Sequence, residues 1–430
     1  MVIKVANLRQ LAHQIRIKRK VKPTVGVVGL GKLGLPLLSV IADCGFDVCG
    51  LDQNSHLIQL LKQKNYRSAE PKLNDFLSTN EIRISYTSNY NEISQCDIFF
   101  IIVPTPSDNE NKFINDYILS ALHNLLDSFQ NLSKKSNKTI VIVSTVMPGS
   151  CEKIFQPLID EWYDQKKLFV KVTLLYSPEF IALGTVIQNL QYPDMVLIGA
   201  KPDADLSIFH QIMNEVVKTK PPYKILTQTE AEIVKILVNC FVTMKISFAN
   251  FIGEISDFFE NVNANEIAKA LAFDTRIGHK YLTPGMGFAG PCFPRDNKAL
   301  ISMCEENGLV ANLAIATDQI NERQPEKMIK RLFSSNKSLK SVGFFGITYK
   351  SDSNVIEESQ QIKIMEILLK QDISVNFFDP LISSIEIEGE TIHAVKNQKE
   401  LLNNEVVLVP QSFEHFLDKD FIKSQKVMIL

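Results

Sequence analysis

The chain has 430 residues, more than one hydrophobic core supports, so two or three domains are expected. Hydrophobic residues make up 45% and charged residues 22% with a net charge of −2, which is typical of a globular protein and gives no general reason to expect nucleic acid or a membrane as partner. No apolar run reaches the roughly 18 residues of a membrane-spanning helix, and seven scattered cysteines without a CxxC pair favour a reducing cytoplasm and no metal site.

Residues 1–22 form a basic segment that is interpreted as an N-terminal arm. The segment lacks the apolar core of a secretory signal. Two interpretations stay open: a short amphipathic arm lying on the folded body, or a contact with an anionic surface or a partner subunit.

A dinucleotide-binding pattern follows the arm. Thr24–Val28 predicts a buried strand, and Leu35–Cys44 predicts a helix with one apolar face. A second predicted strand, Phe46–Leu51, ends at Asp52, whose carboxylate can accept hydrogen bonds from ribose hydroxyls and disfavours a 2′-phosphate. This order predicts NAD rather than NADP as the cofactor. Between the first strand and the helix lies a GxGxxG turn made of Gly29, Leu30, Gly31, Lys32, Leu33 and Gly34.

The strand pattern then repeats, which predicts a Rossmann-type, doubly wound parallel sheet. Its further strands are Cys96–Val103, Thr139–Val143, Val172–Leu175 and Met195–Gly199. Ligands bind at the carboxyl edge of such sheets. The candidate residues at this edge are Val103, Pro104, Thr105, Thr145 and Glu179, although Thr145 and Glu179 are equally typical of helix caps and turns.

A long helix is predicted from Thr229, where Thr229 and Glu232 have the form of a capping box, to about Val262. Its apolar surface exceeds what one small domain buries, so we expect it to join domains and to pack against a second subunit in a homodimer. Lys235 and Asn239 lie one turn apart on the same side. They either flank the helix in solvent or point together into a site.

The most informative loop is Gly285–Asp296, which reads GMGFAGPCFPRD. Its glycines indicate a sharp turn or a close approach to a ligand. Cys292 is followed by a cation and a carboxylate, and a neighbouring positive charge favours the thiolate of a nucleophilic cysteine. Taken alone, the stretch also fits a surface loop with a half-buried cysteine.

The last third predicts a smaller C-terminal α/β domain. Its strands are expected at Ser341–Phe345, Ile373–Phe378 and Glu405–Pro410, with a helix at Ser359–Lys370. Lys350 follows the first of these strands. The resulting division is a basic arm at 1–22, an NAD-binding domain at 23–222, a central helical domain with the cysteine loop at 223–328, and a C-terminal α/β domain at 329–430.

The motifs GLGxxGLP, VPTP, STVxPG, PEF…GT, EAEIVK…N, DTRIG, PGxGFxGPCFPRD and GxTYK occur in one order along the chain. With these motifs the chain resembles the UDP-glucose/GDP-mannose dehydrogenase family and looks most like its UDP-glucose 6-dehydrogenases. The resemblance implies a four-electron, NAD-dependent oxidation of a nucleotide-sugar C6 alcohol through a cysteine thiohemiacetal and thioester, in polysaccharide precursor synthesis.

The resemblance also assigns roles residue by residue. Catalysis would involve Cys292, Lys235, Asn239, Asp296, Thr145 and Glu179. NAD would be held by the GxGxxG turn, Asp52, Val103, Pro104, Thr105 and Thr145. The nucleotide sugar would be held by Glu179, Lys235, Asn239, Arg276, Tyr281, Gly287, Phe288 and Lys350, with Arg276 acting across a dimer interface.

The chain departs from the family at several positions. Leu183 stands where an acid is usual, Glu357 where an arginine near the NAD pyrophosphate is usual, and Arg295 where a lysine is usual. A charge reversal beside an anion should weaken NAD binding. The resemblance predicts oxidation of UDP-glucose. The alternatives are a dehydrogenase that acts on GDP-mannose or another UDP-hexose, and a catalytically impaired relative that binds a nucleotide sugar.

Overall fold

The computed structural model describes residues 22–132, 136–166, 170–335, 338–418, 421 and 423–430. The predicted basic arm lies outside these residues except for Lys22. By its internal contacts the chain divides into two compact units. The first comprises Met1–Pro104, Asn115–Ser144 and Gly149–Ala231, and the second comprises Thr105–Ile114, Thr145–Pro148 and Glu232–Leu430.

The first unit is built on one large sheet. Short β-branched and aromatic runs form its strands, and their central members are fully buried, as expected of a sheet covered on both faces. The strands are β1 (Val25–Val28), β2 (Val48–Leu51), β3 (Ile84–Thr87), β4 (Ile98–Ile101), β5 (Ser136–Ile142), β6 (Val170–Tyr176), β7 (Val196–Gly199) and β8 (Tyr223–Leu226).

The sheet order is β3-β2-β1-β4-β5-β6-β7-β8. Every neighbouring pair is parallel except β6 and β7, which meet in an antiparallel pair at Tyr176 and Gly199. The order runs outward in both directions from β1, so the predicted doubly wound, Rossmann-type fold is confirmed. The predictions missed β3 and β8, the two edge strands, because short and half-exposed runs carry a weak apolar pattern.

Helices cover the sheet and close a core that includes Leu35, Leu38, Ile41 and Phe46. Phe46 belongs to this core but precedes β2, so the predicted strand from Phe46 begins two residues too early. The helices of this unit are α1 (Gly34–Asp43), α2 (Ser55–Lys62), α3 (Leu73–Thr79), α4 (Tyr90–Ile93), α5 (Asp116–Phe129), α6 (Gln156–Lys166), α7 (Val186–Gln191) and α8 (Ser207–Val216), with a 3₁₀ turn at Glu81–Arg83 and a π-helical turn at Cys151–Phe155.

The predicted long helix is α9 (Gln228–Ser256), and the boundary between the two units falls within it. Its capping box is formed by Thr227 and Glu230, not by Thr229 and Glu232 as predicted. The Glu230 carboxylate accepts from the Thr227 N–H and hydroxyl at 2.9 Å each, and the Glu230 N–H donates to the same hydroxyl at 3.3 Å. The prediction missed it because both pairs share the spacing that defines the motif.

Helix α9 is also the one described helix that is long and apolar enough to cross a membrane by length and composition, with 44% of the tested window buried. No such segment was expected from the sequence, and that expectation stays a prediction. Several of the exposed residues on α9 are large and apolar: Leu237, Phe241, Phe248, Phe251 and Ile255.

The second unit combines helices with a smaller α/β layer. Its helices after α9 are α10 (Ala264–Ala272), α11 (Phe293–Glu306), α12 (Asn312–Ser335) and α13 (Gln360–Leu369). Its strands are β9 (Ser341–Phe345), β10 (Ser374–Phe378), β11 (Ser384–Ile387), β12 (Glu390–His393), β13 (Val406–Val409) and β14 (Val427–Ile429), with 3₁₀ turns at Gln398–Asn403 and Gln411–Phe416.

Strands β10-β9-β13-β14 form a parallel sheet, and β11 and β12 form an antiparallel hairpin. The smaller C-terminal α/β domain is therefore present. Helix α12, which contains Pro325, was not predicted. A proline inside a helix removes one hydrogen bond and normally signals a helix boundary.

Candidate active site

The GxGxxG turn joins β1 to α1, and its three glycines meet different surroundings. Gly29 has φ +93°, and a Cβ there would lie 2.2 Å from the carbonyl oxygen of Ile102. A Cβ at Gly34 would lie 1.8 Å from the carbonyl oxygen of Gly29, so helix and strand can approach only without a side chain. A Cβ at Gly31 would meet no atom of the described residues within 4 Å. Protein packing therefore explains two of the glycines, while the third borders open space at the start of a helix.

Asp52 lies directly beside this turn. One of its carboxylate oxygens accepts from the Leu30 N–H and the other from the Asn54 N–H, both at 2.8 Å. A carboxylate has about four acceptor positions, so it can accept further hydrogen bonds from a ligand. Within the turn, Leu30 is buried and Leu33 packs against the core, whereas Lys32 is exposed.

These features fit an adenine dinucleotide. The free N–H groups and the positive dipole end of a helix N-terminus favour a pyrophosphate. The open space at Gly31 admits its close approach, and Asp52 offers acceptors for ribose hydroxyls. Asp52 also repels a 2′-phosphate, which favours NAD over NADP.

The carboxyl ends of β4 and β5 are tied together. In the first unit, the Ser144 hydroxyl accepts from the Val103 N–H at 3.0 Å and donates to the Val103 carbonyl at 2.7 Å. In the second unit, the Thr105 hydroxyl donates to the Thr145 carbonyl at 2.8 Å. Val103, Thr105 and Thr145 were predicted site residues, and Ser144 was not. Pro104, between Val103 and Thr105, is exposed.

Cys292 immediately precedes α11, and three predicted residues gather near it. Asp296 is almost fully buried, with 1% of its surface exposed, and its carboxylate accepts from the Asn239 amide at 2.6 Å. Lys235, one turn before Asn239 on α9, is 9% exposed, and its positive charge lowers the pKa of the Cys292 thiol. The structure therefore brings Cys292, Lys235, Asn239 and Asp296 together in the second unit.

Arg295 holds this cluster to the segment after β4. Its guanidinium donates to the Thr105 carbonyl at 3.2 Å and approaches the Asp296 carboxylate at 3.4 Å. It also stacks over the Phe113 ring, with 4.5 Å between the guanidinium carbon and the ring centroid. A planar fork of donors makes such contacts together, which an ammonium group cannot do. Arg295 was noted in the sequence only as a departure, and no local signal indicated its partners.

Cys292 is an exposed residue, but the surroundings of its thiol do not favour the thiolate. Desolvation by the surrounding protein raises the pKa of Cys292 above its ordinary value, and the Asp296 and Glu357 carboxylates add to the rise. Arg295 and Lys235 act in the opposite direction without cancelling it. The neighbouring cation thus lowers the thiol pKa as the sequence predicted, but desolvation and the two carboxylates outweigh it.

The glycine loop lies immediately before the cysteine. Phe288 is buried, Gly287 is half-buried, and Tyr281 is 52% exposed with φ +62°. The Gly290 N–H donates to the Glu357 carbonyl at 3.0 Å, which places Glu357 beside the loop. Lys350 is half-buried after β9.

Among the described residues, the Arg276 side chain bonds Asp274 and not the cysteine cluster. Its guanidinium is 87% exposed and pairs with Asp274 at 2.6 Å. Such an exposed pair leaves the cation available to a ligand or a second subunit.

Glu179 belongs to the first unit, in the loop after β6, and is half-buried. The same loop carries Leu183 and is anchored by Glu70. The two Glu70 oxygens accept from the Gly184 N–H at 3.0 Å and the Ile187 N–H at 3.3 Å. Glu70 was not predicted, because this contact joins segments more than a hundred residues apart and Glu70 lies outside the motifs of the sequence.

The glycine turn and Asp52 are the elements of a dinucleotide-binding domain such as NAD-dependent dehydrogenases use. Three family models, all from the UDP-glucose/GDP-mannose dehydrogenase family, match the chain. The family's NAD-binding domain model matches residues 23–217, its central domain model matches 229–323, and its UDP-binding domain model matches 343–428. Because these matches cover most of the chain, the protein belongs to the UDP-glucose/GDP-mannose dehydrogenase family.

Named relatives agree with this assignment. The chain is 29% identical over 362 residues to a UDP-glucose 6-dehydrogenase of Rickettsia conorii, covering 82% of this chain and 80% of the relative. It is 27% identical over 406 residues to the UDP-glucose 6-dehydrogenase AglM of Haloferax volcanii, covering 92% and 93%. This chain is a nucleotide-sugar dehydrogenase that uses NAD and is similar to UDP-glucose 6-dehydrogenases.

Solved structures show the same architecture. A UDP-glucose dehydrogenase from Pyrobaculum islandicum superimposes with a TM-score of 0.80 at 26% identity, covering 91% of this chain and 90% of that one. A UDP-D-ManNAc dehydrogenase from Pyrococcus horikoshii gives a TM-score of 0.75 at 22% identity, covering 90% and 88%, and supports the fold alone.

Proposed function

We propose that this protein oxidises the C6 alcohol of UDP-glucose to the carboxylate of UDP-glucuronate, for the synthesis of acidic polysaccharide. The observation that carries the proposal is the cluster of Lys235, Asn239 and Asp296 around the accessible Cys292. Similarity to UDP-glucose 6-dehydrogenases supports the choice of sugar nucleotide.

NAD, when bound, accepts a hydride in each of two oxidations. In the first, the alcohol loses a hydride and a proton and becomes an aldehyde. The Cys292 thiol then adds to the aldehyde carbon, and its proton ends on the new hydroxyl of the thiohemiacetal. Covalent capture retains a reactive aldehyde and provides a carbon that still carries a hydrogen.

The second oxidation removes that hydride and the hydroxyl proton and leaves a thioester. Water then attacks the thioester carbon, the carbon–sulfur bond breaks, and the thiol is regenerated with release of the uronic acid. Lys235 and Asn239 stabilise the negative charge that develops on the substrate oxygen. Asp296 orients Asn239 and the attacking water, and Thr145 and Glu179 line the reaction centre.

The remaining roles follow the same proposal. Arg276, Tyr281, Gly287, Phe288 and Lys350 hold the nucleotide sugar, and the glycine turn, Asp52 and the Val103–Thr105 segment hold NAD. The four-part division with boundaries near residues 22, 222 and 328 is retained as part of the proposal. The proposal also includes a cytoplasmic location, where thiols such as that of Cys292 stay reduced.

The test measures NADH formation and acid product together with purified protein, NAD and UDP-glucose. Two NADH per uronic acid is the expected stoichiometry. Cys292→Ser should retain slow first oxidation and lose release of acid, because a serine hydroxyl is a much weaker nucleophile at this position. Acid formation at the wild-type rate by Cys292→Ser would exclude the thioester route.

One observation favours a second candidate, a nucleotide-sugar-binding protein with impaired turnover. The Glu357 carboxylate lies where the family usually carries an arginine, and it contributes to the raised pKa of the Cys292 thiol. UDP-glucose binding in a thermal-shift assay without NADH formation, repeated with GDP-mannose and other UDP-hexoses, would support this candidate. NADH formation with GDP-mannose or another UDP-hexose alone would reassign the substrate.

We also propose a homodimer that uses the apolar face of α9. Phe241 is 60% and Phe248 51% exposed, and neighbouring exposed apolar residues extend the patch. Contiguous exposed apolar surface of this kind marks an interaction site. Phe248→Asp should halve the mass measured by light scattering, whereas Tyr163→Asp, which places the same charge at a similarly exposed residue on α6, should not.

A further inference from the structure

The backbone of Gly285–Phe288 is held by four buried amide side chains that no motif indicated. Asn250 comes from α9, Asn321 and Gln324 from α12, and Gln360 from α13. Each is 6% exposed or less. Three helices thus converge on four residues of loop.

Asn250 and Asn321 each grip the loop at two points. The Asn250 amide oxygen accepts from the Gly285 N–H at 2.9 Å, and its nitrogen donates to the Met286 carbonyl at 3.2 Å. The Asn321 oxygen accepts from the Phe288 N–H at 2.7 Å, and its nitrogen donates to the Phe288 carbonyl at 3.0 Å. Asn321 therefore pairs with Phe288 as a neighbouring β-strand would.

The two glutamines complete the set. The Gln324 nitrogen donates to the Gly285 carbonyl, and the Gln360 nitrogen donates to the Phe288 carbonyl at 3.4 Å. Their side-chain oxygens are buried and have no hydrogen-bond partner among the described residues. A buried, unpaired carbonyl disfavours folding, which is more typical of a functional requirement than of optimised stability.

The sequence of the loop matches these contacts. A Cβ at Gly287 would lie 2.2 Å from the Asn321 amide oxygen and 2.9 Å from the Gln360 side chain. Gly287 is therefore required by the amides behind the loop. Pro325 has no N–H, so it cannot donate the hydrogen bond that a helical residue normally gives to the carbonyl four residues earlier, which here belongs to Asn321.

The chemistry of the amides suits their place. An amide both donates and accepts, so it can pair with a peptide N–H and carbonyl without adding a charge. A charge in place of one of these amides would lie beside loop residues that are only four to seven positions before Cys292. The pKa of the Cys292 thiol already depends on the charges around it. The loop is thus fixed by neutral groups, and the charges near the thiol are left to Asp296, Arg295, Lys235 and Glu357.

We propose that Asn321, supported by Asn250, Gln324 and Gln360, is a positioning residue that sets the path of the loop and thereby places Phe288 and the Cys292 thiol for the sugar. The hydrogen bonds of this amide clamp go to the loop backbone, so the clamp acts through the loop. The kinetic part of the inference rests on the proposed function, whereas its structural part does not.

The test compares Asn321→Ala and the nearly isosteric Asn321→Asp with a matched control, Asn404→Ala. Asn404 is also a buried asparagine, 3% exposed, whose amide donates to Asn376 and Leu401 and does not touch the loop. The measurements are hydrogen–deuterium exchange of peptides covering residues 282–290, the rate of Cys292 alkylation by iodoacetamide, and steady-state kinetics.

Asn321→Ala should exchange the Phe288 amide at least ten-fold faster, because it removes the acceptor of the Phe288 N–H. Asn321→Asp keeps that acceptor and loses the donor to the Phe288 carbonyl, and both variants should change the Cys292 alkylation rate several-fold. Their kcat should fall at least ten-fold while the KM for NAD stays within two-fold. Asn404→Ala should lower the melting temperature and leave the loop exchange and kcat unchanged. Asn321→Asp secures the test if the alanine variant fails to fold.

Wild-type loop exchange and alkylation in a folded Asn321 variant would overturn the clamp. Equal kinetic loss in Asn404→Ala would overturn it as well, because the effect would then follow general destabilisation. If the wild-type protein forms no NADH with any sugar nucleotide, the proposed function fails, and the exchange and alkylation measurements still decide the clamp.

Discussion

The contrast between Gly31 and Gly34 gives a prediction in which the same substitution has opposite consequences. At Gly34 an added methyl would lie 1.8 Å from a backbone carbonyl, whereas real Cβ atoms essentially never approach another heavy atom within 3.0 Å. Strand and helix must therefore separate by about 1 Å or more, so Gly34→Ala should cost about 3 kcal/mol or more of unfolding free energy.

At Gly31 the added methyl meets no atom within 4 Å in the part of the chain that the structure describes, and the backbone φ is not positive. Gly31→Ala should leave the free energy of unfolding unchanged or raise it by up to about 1 kcal/mol, because alanine restricts the unfolded chain. The methyl would occupy the space through which the pyrophosphate approaches the turn. We therefore expect NAD affinity to fall about ten- to a hundred-fold, which corresponds to about 1.4–2.8 kcal/mol.

Urea unfolding followed by circular dichroism measures the free energy of unfolding, and calorimetric titration with NAD measures the NAD affinity. Wild-type NAD affinity in Gly31→Ala would refute the assignment of the open space to the pyrophosphate. A Gly34→Ala protein of wild-type stability would refute the packing argument.

Three further predictions concern single residues. Cys292 alkylation by iodoacetamide should keep accelerating with pH where an ordinary thiol, with a pKa of about 8.5, has levelled off, because the surroundings raise the thiol pKa; a plateau below that pH would contradict the raised pKa. Glu357→Arg should tighten NAD binding and move the alkylation profile to lower pH, and an unchanged Kd would remove Glu357 from the cofactor site. Lys72→Gly should raise the free energy of unfolding by about 0.5–1 kcal/mol, since Lys72 has φ +67° before α3 and glycine relieves the strain; a lower urea midpoint would argue against it.

Local pattern was sufficient for the main features of the fold. The order of strand, glycine turn, helix, strand and acid determines the dinucleotide unit, because each element is specified by residues within a few positions of one another. The same holds for the long helix, the cysteine loop and the C-terminal α/β domain. The misplaced capping box and the missed edge strands show the limit of this reasoning, since a short motif recurs at neighbouring positions and an exposed strand has little apolar pattern.

Tertiary structure decided the partners of those elements. The clamp of Asn321 on Phe288 and the Arg295 link to Thr105 join residues 33 and 190 positions apart, and no local signal encodes such pairings. The net pKa shift of Cys292 was likewise undecided in the sequence. The adjacent Arg295 indicated a stabilised thiolate, but desolvation and two carboxylates outweigh it, and both effects depend on what folding packs around the sulfur. Sequence thus determines which chemical groups a loop carries, and packing determines their environment.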